Sequence, residues 1–173
     1  MFLDEFGANT KMQRTHGRAA PGRRVVARLP HGHYKAISTI AALSARGVAA
    51  SASFDGGTTA ARFVEFVGGE LVPVLRKGQV VVLDNLAAHN DRRVDELVRA
   101  AGCEVMRLPP YSPDFNPIEN AISKVKAMLR KLAKRTVPEL FDAIDEALAS
   151  VTAADARAYI AHCGYATQRR KLL

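Results

Sequence analysis

The spacing of apolar residues changes along the chain, and the change separates strands from helices. Val80, Val81, Val82 and Leu83 form an unbroken aliphatic run, the pattern of a strand covered on both faces in a parallel sheet. Residues 25–29, 36–43 and 104–108 read as further strands, and Phe54 ends a short one. Met1, Phe2 and Leu3 read as a strand cut short before Asp4. Elsewhere apolar positions recur at helical spacing. Phe63, Phe66 and Val67 follow a cap at Thr58 or Thr59, and Gly68, Gly69 and Pro73 weaken what comes next. Val94, Leu97 and Val98 follow Asn90 or Asp91, with Gly102 as the stop. Ile118, Ile122, Val125, Leu129 and Leu132 share one face of a long helix. Thr136 caps a helix carrying Leu140, Ile144 and Leu148, and Thr152 a last one carrying Ala156, Tyr159 and Ile160.

Leaving the short stretch before Phe54 aside, three strands therefore precede a helix, and strands and helices then alternate. Strands joined by short turns pair antiparallel, whereas strands separated by helices pair parallel. The expected fold class is α/β: a mixed sheet, three antiparallel strands and then parallel ones, flanked by helices.

Two acids stand where apolar elements end. Asp84 closes the Val80 run, and ligands of open α/β sheets sit beyond the carboxyl ends of strands. Asp84-Asn85 is also ordinary turn chemistry, and both readings stand. Asn116-Pro117-Ile118-Glu119 places Asn at the N-cap, Pro in the first turn and Glu two residues later. Glu119 thus fits one half of a capping box. It also heads a stripe with Ser123, Lys126 and Arg130, which suits a metal site beside a phosphate track or a plain solvated face. The segment before it, Leu-Pro-Pro-Tyr-Ser-Pro-Asp-Phe-Asn-Pro at 108–117, holds four prolines between Pro109 and Pro117. Proline fixes φ and restricts the preceding residue, so the loop is stiff and sets where Glu119 lies. A merely solvated helix start needs no such stiffness.

Asp84-Asn85-x-x-x-His89, followed by the Pro-rich motif at 108–119, resembles the DDE transposases of bacterial insertion sequences related to mariner. Thirty-four residues separate Asp84 from Glu119, a spacing typical of that group (the DD34E type). Residues 2–12, Phe-Leu-Asp-Glu-Phe-Gly-Ala-Asn-Thr-Lys-Met, resemble the segment that holds the family's first aspartate. The resemblance covers roughly residues 2–165 and implies a ribonuclease H-like fold. It implies that Asp4, Asp84 and Glu119 are the catalytic, metal-holding acids, with Asn85 and His89 as auxiliary candidates. Asp4 and Glu5 are neighbours on one strand and face opposite ways, so only one can face the metal. By resemblance that is Asp4, leaving Glu5 as a surface acid. His89 suits contact with phosphate, ordering of a water, or a structural hydrogen bond.

Three carboxylates suit Mg²⁺, which keeps several waters and takes substrate phosphates as ligands. The implied cofactor is a pair of Mg²⁺ ions, with Mn²⁺ as a substitute, cleaving phosphodiesters and transferring strands. A non-cutting DNA-binding remnant and another ribonuclease H-like nuclease are the alternatives. The family carries helix-turn-helix modules ahead of the catalytic domain, and this sequence shows none. The expected organisation is one catalytic domain over 1–173, with a core at 1–135 and C-terminal helices at 136–165.

Composition fits this picture. The 173 residues are 48% hydrophobic, which suits a globular core. Twenty-five Lys and Arg against 17 acids give a net charge of +8, which points to a polyanionic partner. Lys11, Arg14, Arg18, Arg23, Arg24 and Arg28 crowd an acid-free stretch marked as a loop by Gly17, Pro21 and Gly22. With Lys126 and Arg130 they are the candidate DNA contacts. Double-stranded DNA, as transposon ends and target, is the expected partner, with a homodimer as a further expectation and no membrane. His31-Gly32-His33 reads as a turn, and Cys103 and Cys163 as reduced core residues. The first residues, Met-Phe-Leu-Asp-Glu, do not read as a basic, apolar leader, and a bacterial cytoplasmic, nucleoid-associated location is expected.

Overall fold

The computed structural model describes residues 1–26, 28, 30–31, 34–86, 89–110 and 112–165. Its centre is a five-stranded sheet of β1 (Phe2–Asn9), β2 (Ala36–Ser44), β3 (Gly47–Asp55), β4 (Val80–Leu83) and β5 (Glu104–Arg107), in the order β3-β2-β1-β4-β5. The first three pair antiparallel, and β4 pairs parallel with both β1 and β5. This is the mixed sheet that the alternation of elements implies.

Among the described residues five α-helices cover it: α1 (Ala60–Phe66), α2 (Arg92–Ala100), α3 (Pro117–Leu132), α4 (Val137–Ala149) and α5 (Ala153–His162). The pleat sorts the core into two layers. Phe2, Phe6 and Ala8 of β1 meet Ile118, Ile122 and Leu129 of α3 and Leu140 and Ile144 of α4 on one face. Leu3 of β1, with Val81 and Leu83 of β4, meets Phe63 and Phe66 of α1 and Val94 and Val98 of α2 on the other. Asp4 therefore shares the α3 face, and Glu5 the α1–α2 face. After α1 the chain continues as a π turn, Val67–Leu71, and a 3-10 turn, Val72–Val74, where the two glycines and Pro73 had weakened the helical pattern.

Two strand expectations are corrected. β1 does not stop at Asp4 but runs to Asn9, because the antiparallel ladder with β2 continues through all eight residues. Asp4 is a mid-strand residue. The stretch 25–29 is not a strand at its described positions: Val25, Val26 and Arg28 are irregular and exposed, the apolar pair having no sheet edge beside it. The short strand expected to end at Phe54 is the nine-residue β3, whose Ala and Ser content gives a weak hydrophobic signal over most of its length. The reading of 31–33 as a turn falls partly outside the described residues, as does the tail from 166.

Caps confirm most helix starts. Thr59 caps α1, Asp91 caps α2 and Thr136 caps α4, while Thr152 and Asp155 form a complete capping box on α5. Cys103 and Cys163 are free and buried. Lys124 of α3 reaches Asp155 at 2.7 Å and the Ser150 carbonyl at 2.7 Å, latching α3 to the α4–α5 connection.

Gly47, at the β2–β3 turn, has φ +114°, and a Cβ there would come within 2.7 Å of the Val151 carbonyl oxygen. Gly47→Ala is expected to destabilise the protein by about 1–3 kcal/mol through backbone strain and that contact. An unchanged urea midpoint would contradict the packing of this turn under the α4–α5 connection.

A carboxylate-lined candidate active site

The site lies where β1, the end of β4 and the start of α3 meet. Asp4, Asp84 and Glu119 line one cavity of about 560 Å³, walled otherwise by Asn85, Leu86, Asn116 and the prolines that follow β5. Each acid arrives by a different route. Asp4 projects from mid-β1, Asp84 follows the last residue of β4, and Glu119 sits in the first turn of α3.

Asp4 is the buried one, only 7% exposed. Its Oδ2 accepts from Asn116 Nδ2 at 3.0 Å and its Oδ1 from the Glu5 backbone N–H at 2.8 Å. Burial pushes its pKa up to about 7, and the negative charges of Glu119, Glu5 and Asp84 add to the rise. A carboxylate so placed is short of positive charge.

Asp84 is the opposite case. Its Oδ1 accepts from His89 Nδ1 and from the Leu86 N–H at 2.9 Å, and the His89 bond above all holds its pKa low. The other ring nitrogen of His89 meets Glu5 Oε2 at 2.8 Å. Both partners are acceptors, so a ring bonded to both carries two N–H groups. Burial alone would lower the His89 pKa, but the bonds to Asp84 and Glu5 outweigh it and push it up to about 9. His89 is fully buried, its ring centroid 4.2 Å from that of Phe63. Contact with phosphate and ordering of a water are thereby excluded in this arrangement, and the hydrogen-bonding role stands. Glu5 is not the surface acid that the resemblance implied. It is half-buried and held by His89, because its face of β1 is covered by the α1–α2 layer.

The capping-box reading of Glu119 is also corrected. Asn116 is the N-cap of α3 by position, yet its side chain makes no cap bond, being turned to Asp4 instead. Glu119 is exposed, and among the described residues its carboxylate has no hydrogen-bond or ion-pair partner. The stiff loop that places it is tied at both ends. The Asn85 amide donates to the Leu108 carbonyl, and Tyr165 Oη donates to the Phe115 carbonyl at 2.8 Å. Between them, a 3-10 turn, Pro113–Phe115, carries the chain into α3.

Arg107 braces the Asp84 loop from behind. It pairs with Asp95 at 3.1 Å and donates to the Asn90 side chain and the His89 carbonyl. Glu5, Asn116 and Arg107 are the residues that sequence reasoning missed. Asn116 looked like a cap and Glu5 a solvated neighbour. Only the adjacency of Asp4 and Glu5 on one strand signalled that both faces of β1 carry charge.

The candidate DNA contacts lie outside the cavity. Lys126 and Arg130 are half-buried on α3, with no ion pair among the described residues. Arg14, Arg18, Arg23, Arg24 and Arg28 are exposed in the irregular segment between β1 and β2. Lys11 lies over the Tyr34 ring, 4.9 Å from its centroid. Arg135, just beyond α3, anchors the start of this segment by donating to the carbonyls of Thr10 and Met12, both at 2.9 Å.

A divalent ion fits these residues. All three acids offer hard oxygen donors, Asp4 is raised first by burial and then by the neighbouring carboxylates, and among the described residues the buried Asn116 Oδ1 has no partner. Among the described residues no three acidic, histidine or cysteine side chains are grouped closely enough to hold an ion by themselves. Mg²⁺ needs no such group, being held through one or two carboxylates with waters and phosphates completing its shell.

Comparison with solved structures places the fold. The Mos1 transposase paired-end complex with left transposon end aligns at a TM-score of 0.76 and 19% identity, over 94% of this chain and 51% of that one. The Mos1 strand transfer complex gives 0.73 and 20%, over 94% and 50%. The Mos1 catalytic domain with Raltegravir and Mg gives 0.63 and 17%, over 94% and 76%. The chain spans about half the length of the transposase chains in the two DNA complexes. No curated protein matches it significantly. The mixed five-stranded sheet with its flanking helices is thus the ribonuclease H-like fold of the Mos1 catalytic domain. Over residues 1–140 the sequence matches the family model described as DDE superfamily endonuclease, and the chain belongs to that family.

Proposed function

We propose that the chain is the catalytic domain of a mariner-related, DD34E-type transposase of a bacterial insertion sequence. It would cut DNA phosphodiesters and transfer the freed strand, acting on transposon ends and target DNA in the bacterial cytoplasm, at the nucleoid. The observation that carries this reading is the convergence of Asp4, Asp84 and Glu119 on one cavity, in a chain of the DDE endonuclease family. The Mos1 structures titled as paired-end and strand transfer complexes, and those titled with Mg and with Mn, support the DNA partner and the metal. The paired-end arrangement also supports a homodimer.

Asp4, Asp84 and Glu119 would hold two Mg²⁺ ions, or Mn²⁺ in their place. Bound there, the metal would lower the pKa of a water or 3′-hydroxyl and stabilise the leaving oxygen. The chain's own part is positional. Asn116 holds Asp4 through one oxygen, Asp84 keeps its Oδ2 uncommitted among the described residues, and the proline loop fixes the start of α3 so that Glu119 lines the same cavity. The basic segment after β1 and the Lys126–Arg130 stripe neutralise phosphates and lay the duplex across the cavity mouth.

Glu119→Gln tests the metal role. The carboxylate makes no cap bond, so the fold is expected to lose less than about 0.5 kcal/mol, as for ordinary surface changes. Mg²⁺-dependent cleavage is expected to fall by more than the 10–100-fold typical when a partner that only orients a ligand is lost, roughly 100-fold or beyond. Cleavage near that of the unaltered protein would remove Glu119 from the metal site.

Binding to duplex DNA is expected to be indifferent to sequence and steep in salt. The logarithm of affinity should fall with the logarithm of salt concentration by about 0.9 per phosphate neutralised. Replacing Lys126 and Arg130 with Ala should flatten that slope and weaken unrelated duplexes alike. A preference of roughly a thousandfold for one duplex, of the size separating specific from non-specific binding, would show that this domain reads bases itself.

A further inference from the structure

Glu5 and His89 form a part-buried polar pair that the proposed chemistry does not use. It joins β1 to the segment after the neighbouring strand β4, across 84 residues of sequence. Every polar atom of the His89 ring is committed, Nε2 to Glu5 Oε2 and Nδ1 to Asp84 Oδ1. Phe63 covers one side of the ring, and Arg107 holds the His89 carbonyl at 3.3 Å. Asp84 receives both of its bonds, from His89 and from the Leu86 N–H, on the same oxygen. Among the described residues its Oδ2 has no partner.

Such an arrangement is a poor device for stability alone. Burying a ring that must carry two N–H groups between two carboxylates entails full desolvation of the ring and partial desolvation of Glu5 and Asp84. Apolar side chains of similar volume serve folding as well or better. What the pair does achieve is orientation: it fixes the carboxylate plane of Asp84 and selects which oxygen is left over.

We propose that Glu5 and His89 are positioning residues that hold Asp84 through Oδ1 and thereby present Oδ2 to a divalent ion, so that metal affinity depends on two side chains that touch neither metal nor DNA. The inference rests on the metal-site reading above and extends it. Groups that hydrogen-bond to metal ligands act in this way, and their loss commonly weakens metal binding by about 10–100-fold. Here the orienting group is itself held by an acid on a different strand. β1 therefore contributes to the site twice, through Asp4 directly on one face and through Glu5 at one remove on the other.

The test is Mn²⁺ binding to the full chain without DNA, followed by the loss of the free-ion electron paramagnetic resonance signal. Glu5→Ala is expected to weaken binding by about 10–100-fold. Glu5→Gln, whose amide oxygen can still accept from Nε2, is expected to recover most of that loss. A double variant, Glu5→Leu with His89→Phe, replaces the polar pair by apolar bulk. It is expected to keep or raise the thermal midpoint while binding Mn²⁺ as weakly as Glu5→Ala. A purely structural pair would show the reverse, with stability falling and affinity unmoved. Asp84→Asn separates the two levels of the account. If it abolishes binding while Glu5→Ala and the double variant bind like the unaltered protein, the positioning role is overturned and the metal site stands. If the unaltered protein binds no Mn²⁺, or Asp84→Asn changes nothing, the metal-site reading fails and the positioning role falls with it.

Discussion

A buried carboxylate in the middle of β1 is the constraint on which the site depends. Asp4 pairs with Ala41 of β2 on one side, lies beside the end of β4 on the other and is buried near the start of α3, where a charged group is costly unless something answers it. The protein answers only in part. Asn116 and one backbone N–H supply two hydrogen bonds, while three further carboxylates nearby push in the opposite direction. Among the described residues no Lys, Arg or His lines the cavity, and the buried His89 ring is committed to Asp84 and Glu5. A divalent ion would complete this balance. The family match and the oxygen donor set agree with that requirement, but the charge deficit follows from this chain's own residues.

The rest of the fold serves to bring three elements to one place. Parallel pairing of β1 and β4 aligns the Asp84 end of β4 beside Asp4. The tied proline loop brings α3 back over the same edge. Packing of Ile118 and Ile122 under the sheet, and the Lys124 latch, then fix the helix that carries Glu119. Because β1 alternates faces, a single strand anchors both Asp4 and the Glu5–His89 pair. Small shifts of β1 would be felt by all of them at once.

Much of this was legible in the sequence, for identifiable reasons. The Val80 run and the helical stripes are strong periodic signals, and β4, α2, α3, α4 and α5 appear where they were expected. The apolar stretch at 25–29 misled because hydrophobicity without a partner strand does not make a strand. The Ala- and Ser-rich β3 was shortened for the converse reason: its ladder with β2, not its side chains, makes it a strand. At the site, chemistry borne by single residues was readable, and chemistry made by contacts was not. Asn116 carries the right residue for a cap, and only the approach of Asp4, 112 positions away, shows that its amide is engaged elsewhere. Glu5 and His89 lie 84 positions apart, and no local pattern joins them.

The central claim is that Asp4, Asp84 and Glu119 together form a divalent-metal site. Anomalous diffraction from crystals of the full chain soaked in Mn²⁺ tests it most directly. The account predicts density in the cavity between β1, β4 and α3, with carboxylate oxygens of all three acids about 2.0–2.2 Å from the ions they contact, close to the distances at which Mg²⁺ is held. Ions bound elsewhere, or an ion in the cavity with Glu119 left out of its shell at saturating Mn²⁺, would contradict it.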